Sequence, residues 1–343
     1  MDSDNDPAWW KRLLRKIGVG FVWLLLTGLS LWATAALYFD LSFPRLRLLT
    51  PIVYLAGLLT LIYFARRQRK RMAVCLAGFF LVLICWLSLQ PSNNRNWQTD
   101  NAETPWADVN GDRVTIHNFR DCAYRTELEY TCQWLTRTVY LSQLRGIDLF
   151  VTYWGSTWIA HPIVSFQFGD DHVAASIETR DEVGEGYSAL RGFFRQYELI
   201  YVMADERDLV RLRSNYRTGE DVYLFHTTAG PEWSRQLFLE YVRGANSLRN
   251  HPQWYNAMTD NCTTKIFTLM AATGHLPAGS SPYDWWVLLN GRGPEILYRN
   301  GNIAGNMPFA ELMKHAYINP VARTLNDSSD FSQRIREGRP GFE

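Results

Sequence analysis

Tyr255-Asn-Ala-Met-Thr-Asp-Asn-Cys-Thr-Thr-Lys-Ile-Phe-Thr-Leu-Met270 sets the reading of this chain. An irregular polar run gives way at Cys262 to apolar residues at helical spacing. These are Ile266, Phe267, Met270 and Ala271, with Gly274 as the stop. Asp260 or Asn261 is suited to accept a hydrogen bond from a free amide at the helix start. Cys262 is therefore predicted in the first helical turn. There, unsatisfied amides and the helix dipole favour a thiolate and lower the thiol pKa. A cysteine nucleophile needs that setting. A buried structural cysteine is the competing reading of this stretch taken alone.

The chain has 343 residues and a formal net charge of +1. That length bounds it to one membrane part plus one or two folded domains, and the charge gives no support for binding nucleic acid. Three apolar runs, at residues 17–38, 48–65 and 72–89, are each near the ~20 residues that cross a bilayer. Two more runs follow the first and no small-residue cleavage site intervenes, which argues against a removable signal peptide. Lys11, Arg12, Arg15 and Lys16 precede the first run, and Arg66, Arg67, Arg69, Lys70 and Arg71 separate the second from the third. Only Arg45 and Arg47 lie between the first two. The bias of basic residues puts the N-terminus and the second loop in the cytoplasm. Three crossings then deliver everything after about Gln90 to the outer side. The expectation is a multi-pass protein of a bacterial inner membrane with a periplasmic C-terminal domain.

Cysteine placement fits an oxidising compartment. Cys75 and Cys85 fall in the third apolar run. Cys122 and Cys132 flank a short polar segment and are suited to close a hairpin as a disulfide. Cys262 is then the odd thiol.

The outer part reads as an α+β domain with a mixed or antiparallel sheet. Val114-Thr-Ile-His-Asn-Phe-Arg120 alternates as a strand, and residues 133–141 and 147–154 continue the pattern. Trp158-Ile-Ala-His-Pro-Ile-Val-Ser-Phe-Gln-Phe168 and His172-Val-Ala-Ala-Ser-Ile-Glu-Thr-Arg180 flank a tight Gly-Asp turn. With the turn centred on Gly169-Asp170, His161 falls opposite Glu178. A register shifted by two puts Ser176 or Arg180 there, on the same face. A carboxylate across from a histidine fixes its tautomer and stabilises the imidazolium; an ordinary cross-strand polar pair is the alternative. Residues 193–203 read as another strand, Asp205-Glu-Arg-Asp208 as an acidic helix start, residues 222–225 as a short strand, and residues 231–248 as an amphipathic helix. After Gly274 the chain is loop-rich, with an apolar island at Trp285-Trp-Val-Leu-Leu289 and a short helix at residues 309–317. The remaining histidines lack metal-ligand spacing, so no metal and no cofactor is expected.

Five ordered motifs carry a resemblance. They are His161-Pro-Ile-Val-Ser-Phe, Ser176-Ile-Glu-Thr-Arg180, Arg195-Gln-Tyr-Glu-Leu-Ile-Tyr201, Asp205-Glu-Arg-Asp208 and Asp260-Asn-Cys-Thr-Thr264, with Asn118-Phe-Arg120 upstream. Together they resemble the Lnb N-terminal periplasmic domain family, over roughly residues 118–274. The family is named for a bacterial lipoprotein N-acyltransferase. The resemblance implies a circularly permuted papain-like fold, in which the histidine strand precedes the cysteine helix. It implies Cys262 as nucleophile and His161 as base, and the hairpin register adds Glu178 as the residue that orients His161. One departure stands out. In the named enzyme the periplasmic domain precedes its membrane helices, whereas here the apolar runs come first.

The expected layout is a cytoplasmic segment at residues 1–16, a three-helix membrane anchor at 17–89, a linker at 90–112, the papain-like domain at 113–325 and a polar, mobile tail at 326–343. The expected activity is a cysteine acyltransferase acting on membrane lipid or lipoproteins through a thioester on Cys262. A hydrolase of the same fold, cutting a peptide, amide or lipid ester, is the alternative. A non-enzymatic membrane assembly or binding module is the third reading.

Overall fold

The structure is a computed structural model that describes residues 8–41, 46–276, 281, 284, 287, 290–326 and 328–342. Trp285, Trp286, Leu288 and Leu289 of the apolar island lie outside the described residues. The chain divides into two units, residues 1–90 with 194–196, and residues 91–193 with 197–343.

The first unit holds three helices, α1 (Ala8–Phe39), α2 (Leu49–Phe64) and α3 (Gln68–Ser88). Among the described residues only α1 and α3 are long and apolar enough to cross a membrane. The expectation of three spans is corrected to two candidate spans. α2 has 16 residues and rises about 24 Å at 1.5 Å per residue, short of a hydrocarbon core of about 30 Å. The apolar windows of α1 and α3 are only 17% and 11% buried, so their faces stay open where a soluble core helix would be covered.

The second unit is an α+β fold around one mixed sheet. Its strands are β1 (Trp106–Asn110), β2 (Arg113–Tyr124), β3 (Tyr130–Tyr140), β4 (Leu144–Trp154), β5 (Ala160–Phe168), β6 (Asp171–Arg180), β7 (Glu198–Ala204) and β8 (Glu220–His226). Their order is β1-β2-β7-β6-β5-β4-β8, with β3 paired to β2. The pairs are antiparallel except β2 with β7. Every residue of β7 is buried, because helices cover both faces and a central strand then reads as a continuous apolar run. This hides its start. The expected strand at residues 193–203 begins at Glu198, after a turn at Arg191–Phe193.

On one face lie α5 (Pro231–Asn250), α6 (Cys262–Ala272) and α8 (Phe309–Ala316), packed on Val164, Phe166, Ala175, Tyr201 and Phe225. α7 (Gly293–Arg299) adds Leu297 and Tyr298 to the same core. On the other face α4 (Glu206–Arg211), α9 (Asn319–Leu325) and α10 (Phe331–Arg334) cover Phe150, Ile163, Ala174, Ile200 and Leu224. The β5–β6 turn forms as expected, with Gly169 at a φ of +66° that a side chain would resist.

Two segments differ from their expected roles. The linker at 90–112 is part of the fold. Trp97 is buried beneath the Arg180 guanidinium, 4.3 Å away, and β1 pairs with β2 in register. The tail at 326–343 is docked. Phe331 and Ile335 are fully buried, and Arg336 reaches Asp148 at 2.7 Å and Glu206 at 2.6 Å. The sequence shows a polar majority there. Its inward residues occupy one helical face at i and i+4, too short a pattern to outweigh the polar count.

Candidate active site

Cys262 is the first residue of α6, and Asn261 is the cap. Of the two candidate caps, Asp260 instead pairs with Lys265 at 2.7 Å. Asn261 Oδ1 accepts from the amides of Thr263 and Thr264, both at 2.9 Å, and Thr264 Oγ1 accepts from the Asn261 amide at 2.9 Å. This reciprocal capping box fixes the helix start. It also consumes the amides of Thr263 and Thr264 that the sequence left free beside the thiol.

The thiol is the point where expectation and structure part. Cys262 is half-buried, and its hydrogen-bonding contact is Thr263 Oγ1 at 3.8 Å. Burial pushes the thiol up to about 11, against smaller lowering contributions from Thr263 and Arg213. The predicted lowering is therefore corrected. Desolvation disfavours the thiolate more than one capped helix end favours it.

The hairpin register is the expected one. Ile163 faces Ser176 and Phe168 faces Asp171, which puts His161 level with Glu178 at the strand ends. His161 Nε2 lies 3.4 Å from Glu178 Oε1 and, nearer, 2.7 Å from Ser176 Oγ. Ser176 donates to Glu178 Oε1 at 2.7 Å. Ser176 has one proton, and the carboxylate can only accept it. The Ser176 oxygen must then accept from His161, so the neutral imidazole carries its proton on Nε2. No hydrogen bond among the described residues occupies Nδ1, which leaves its lone pair for a proton. Burial, then the Arg213 charge, lowers the His161 pKa against the opposing pull of Glu178. The imidazole is neutral at pH 7.

Arg213 completes the cluster. It sits in a single π-helical turn after α4, Leu212–Tyr216. It reaches Glu178 at 3.1 Å and Glu220 at 3.3 Å. Burial works to raise the Glu178 pKa, but Arg213 and then His161 overcome it and hold the carboxyl well below its usual range. Asn290 ties the two halves together. Its Oδ1 accepts from the Ala160 amide at 2.7 Å, and its Nδ2 donates to the Ala160 carbonyl at 2.6 Å and to Thr263 Oγ1. One side chain thus fastens the residue before His161 to the residue after Cys262.

Cys262, His161, Glu178, Arg213 and Asn290 line one cavity of about 690 Å³. Their approach is indirect. Ala160, Pro162 and Val164 line a smaller apolar cavity with Ile266 and Phe267 of α6. Strand alternation therefore turns His161 to the opposite face of the sheet. Histidine and cysteine share the cavity only at the strand ends, and no hydrogen bond joins them among the described residues.

Residues 130–292 match the Lnb N-terminal periplasmic domain family. The matched segment runs from β3 through Arg292 and contains Cys262, His161, Ser176, Glu178, Arg213 and Asn290. β1, β2 and the docked tail lie outside it. No curated protein and no solved structure matches the chain. Cys122, just outside the match, faces Cys132 across β2 and β3, and the two form a disulfide.

Reading the sequence missed Ser176 as the nearer partner of His161, although Ser176-Ile-Glu178 puts both side chains on one strand face. It missed Arg213 and Asn290 altogether. Arg213 sits in a π turn that no pattern announces, and Asn290 stands in a stretch whose sequence shows no clear periodicity. Among the described residues no group of histidine, cysteine and carboxylate is arranged to hold a metal ion.

Proposed function

We propose that this protein is a membrane-anchored periplasmic cysteine acyltransferase acting on lipid or lipoprotein substrates. The observation that carries this reading is the shared cavity, where Cys262 at a helix start meets a histidine held as its Nε2–H tautomer by Ser176 and Glu178. The order of histidine strand and cysteine helix along the chain supports a permuted papain-like arrangement.

In the proposed cycle, substrate entry brings the Cys262 thiol within reach of His161 Nδ1, which removes its proton. The thiolate attacks the carbonyl carbon of a lipid ester. The C–S bond forms, the ester C–O bond breaks, and His161 returns the proton to the departing alcohol. An amine then attacks the thioester. The C–N bond forms, the C–S bond breaks, and the amine's proton returns to the Cys262 sulfur. The Cys262 amide is the helix-start donor best placed for the oxyanion, since Asn261 holds the next two. Binding energy from a lipid substrate drives the desolvated thiol toward reaction, which the resting pKa of about 11 otherwise opposes.

Asp181, whose carboxyl burial pushes up to about 7, and Glu185 line the same cavity; a carboxylate there can draw in an ammonium group and take its proton, leaving the neutral amine that attacks. Water in place of the amine gives the hydrolase reading. The two are separated by products. The full chain in proteoliposomes, given labelled phospholipid and a peptide with a free α-amine, is expected to yield N-acyl peptide. Free fatty acid alone indicates a hydrolase. Intact lipid with a folded chain favours a binding module.

The disulfide between Cys122 and Cys132 supports an exported domain, in keeping with the periplasmic family. With α1 and α3 as the two crossings, a periplasmic outer unit puts the N-terminus on the periplasmic side as well, and a reporter fused to the N-terminus tests this.

A further inference from the structure

We propose that the rim of the active-site cavity is a docking surface for the outer face of a lipid bilayer. Trp154, Ile159, Tyr187 and Phe193 line the cavity, yet each is between 36% and 50% exposed. Trp158 and Leu190, beside them in sequence, are 52% and 60% exposed. A soluble surface scatters such residues singly, and a group around one opening marks an interaction site. Tryptophan and tyrosine with aliphatic neighbours suit the boundary between headgroups and acyl chains. The Arg292 guanidinium lies 5.2 Å over the Trp158 ring, a cation placed among the apolar residues where lipid phosphates would lie.

The chain's own path selects the bilayer over a protein partner. α3 ends at Ser88 and the outer unit begins at Pro91. Leu89 and Gln90 lead from the end of α3 to Pro91, a reach of about 10 Å at 3.3–3.6 Å per residue. A domain on so short a tether from an apolar helix is held at the membrane surface. Docked by this rim, the cavity opens onto lipid, and a long acyl chain need not pass through water to reach it. The inference rests on the membrane-anchored reading above and not on chemistry at Cys262.

The test uses the full chain in nanodiscs containing a phospholipid with a photoactivatable acyl chain, followed by peptide mapping of the adducts. The expected result is adducts in residues 154–159 and 187–193 as well as in α1 and α3. In a Trp158→Ser, Leu190→Ser double variant the rim adducts fall several-fold. Unchanged alkylation of Cys262 in detergent shows that the variant is folded. The Cys262→Ala chain keeps the rim adducts, so an inactive site and an undocked rim give different patterns. Adducts confined to α1, α2 and α3 in the native chain overturn the proposal.

Discussion

The Nε2 of His161 lies 2.7 Å from the Ser176 hydroxyl, and that hydroxyl, not Glu178, is the nearest group to the ring. Glu178 acts one step back, accepting the serine proton at 2.7 Å. The pair defines which ring nitrogen, Nδ1, is left to accept a proton in the proposed cycle. Ser176→Ala leaves the Nε2 proton with only the 3.4 Å contact to Glu178 and frees the ring to turn. Acyl transfer is expected to fall toward the loss of about 10²–10⁴-fold that removing a positioned base produces. Stability should fall by only about 1 kcal/mol. Measured rates and melting temperatures together separate the two effects.

The pH dependence of that base has a definite sign. The folded pKa of His161 lies below 6.5, so the neutral form persists below that pH and the acid limb of the rate falls there. The unfolded chain binds the proton first. The contribution of His161 to stability is therefore present above 6.5 and lost as pH falls from 6.5 through the folded value. Arg213 opposes the imidazolium, so Arg213→Gln is expected to move the acid limb upward. A downward shift would contradict the placement of that charge.

Cys262 behaves oppositely. With its thiol pushed up to about 11, alkylation by iodoacetamide in detergent without substrate should be slow at neutral pH. It should still be rising above the ~8.5 of a free thiol. His161→Ala should change this resting profile little, because no hydrogen bond joins the two. Fast labelling at neutral pH that depends on His161 would show a thiolate–imidazolium pair already formed.

Arg336 sits between two buried carboxylates, Asp148 and Glu206. Arg336→Met leaves Glu206 without its paired cation and Asp148 with the His226 contact at 2.8 Å, and is expected to destabilise the outer unit by about 3–5 kcal/mol. At 2–4 °C per kcal/mol, the melting temperature should drop by about 10 °C. Deletion of residues 328–343 should do at least as much. A full-length melting temperature in either variant would restore the view of a dispensable tail.

Much of this fold was legible because its signals are local. The Gly169 turn fixed the β5–β6 register, and with it the level of His161 and Glu178. The Asn-Cys-Thr-Thr sequence marked a helix start, and the order of motifs pointed to the Lnb-type domain. What stayed hidden depends on contacts distant in sequence. Arg336 docks across 188 residues onto Asp148, and Asn290 reaches Ala160 across 130. The thiol shift went the wrong way for the same reason. Residue type and helix position can be read from the chain, but desolvation is set by what the fold packs around the sulfur. The middle membrane run failed differently. Its apolar run is 18 residues long, but the helix covers 16 and turns to extended backbone at Ala65, a stop that residue types alone do not show.

The central claim is a covalent acyl group on Cys262, and trapping it is the most direct test. The full chain in proteoliposomes, without an amine acceptor, is quenched in acid and digested. The expected result is an acyl mass on the Cys262 peptide that hydroxylamine removes. It should be absent in Cys262→Ala and strongly reduced in His161→Ala. A folded native chain that turns over lipid with no such adduct, or carries it on another residue, would contradict the account.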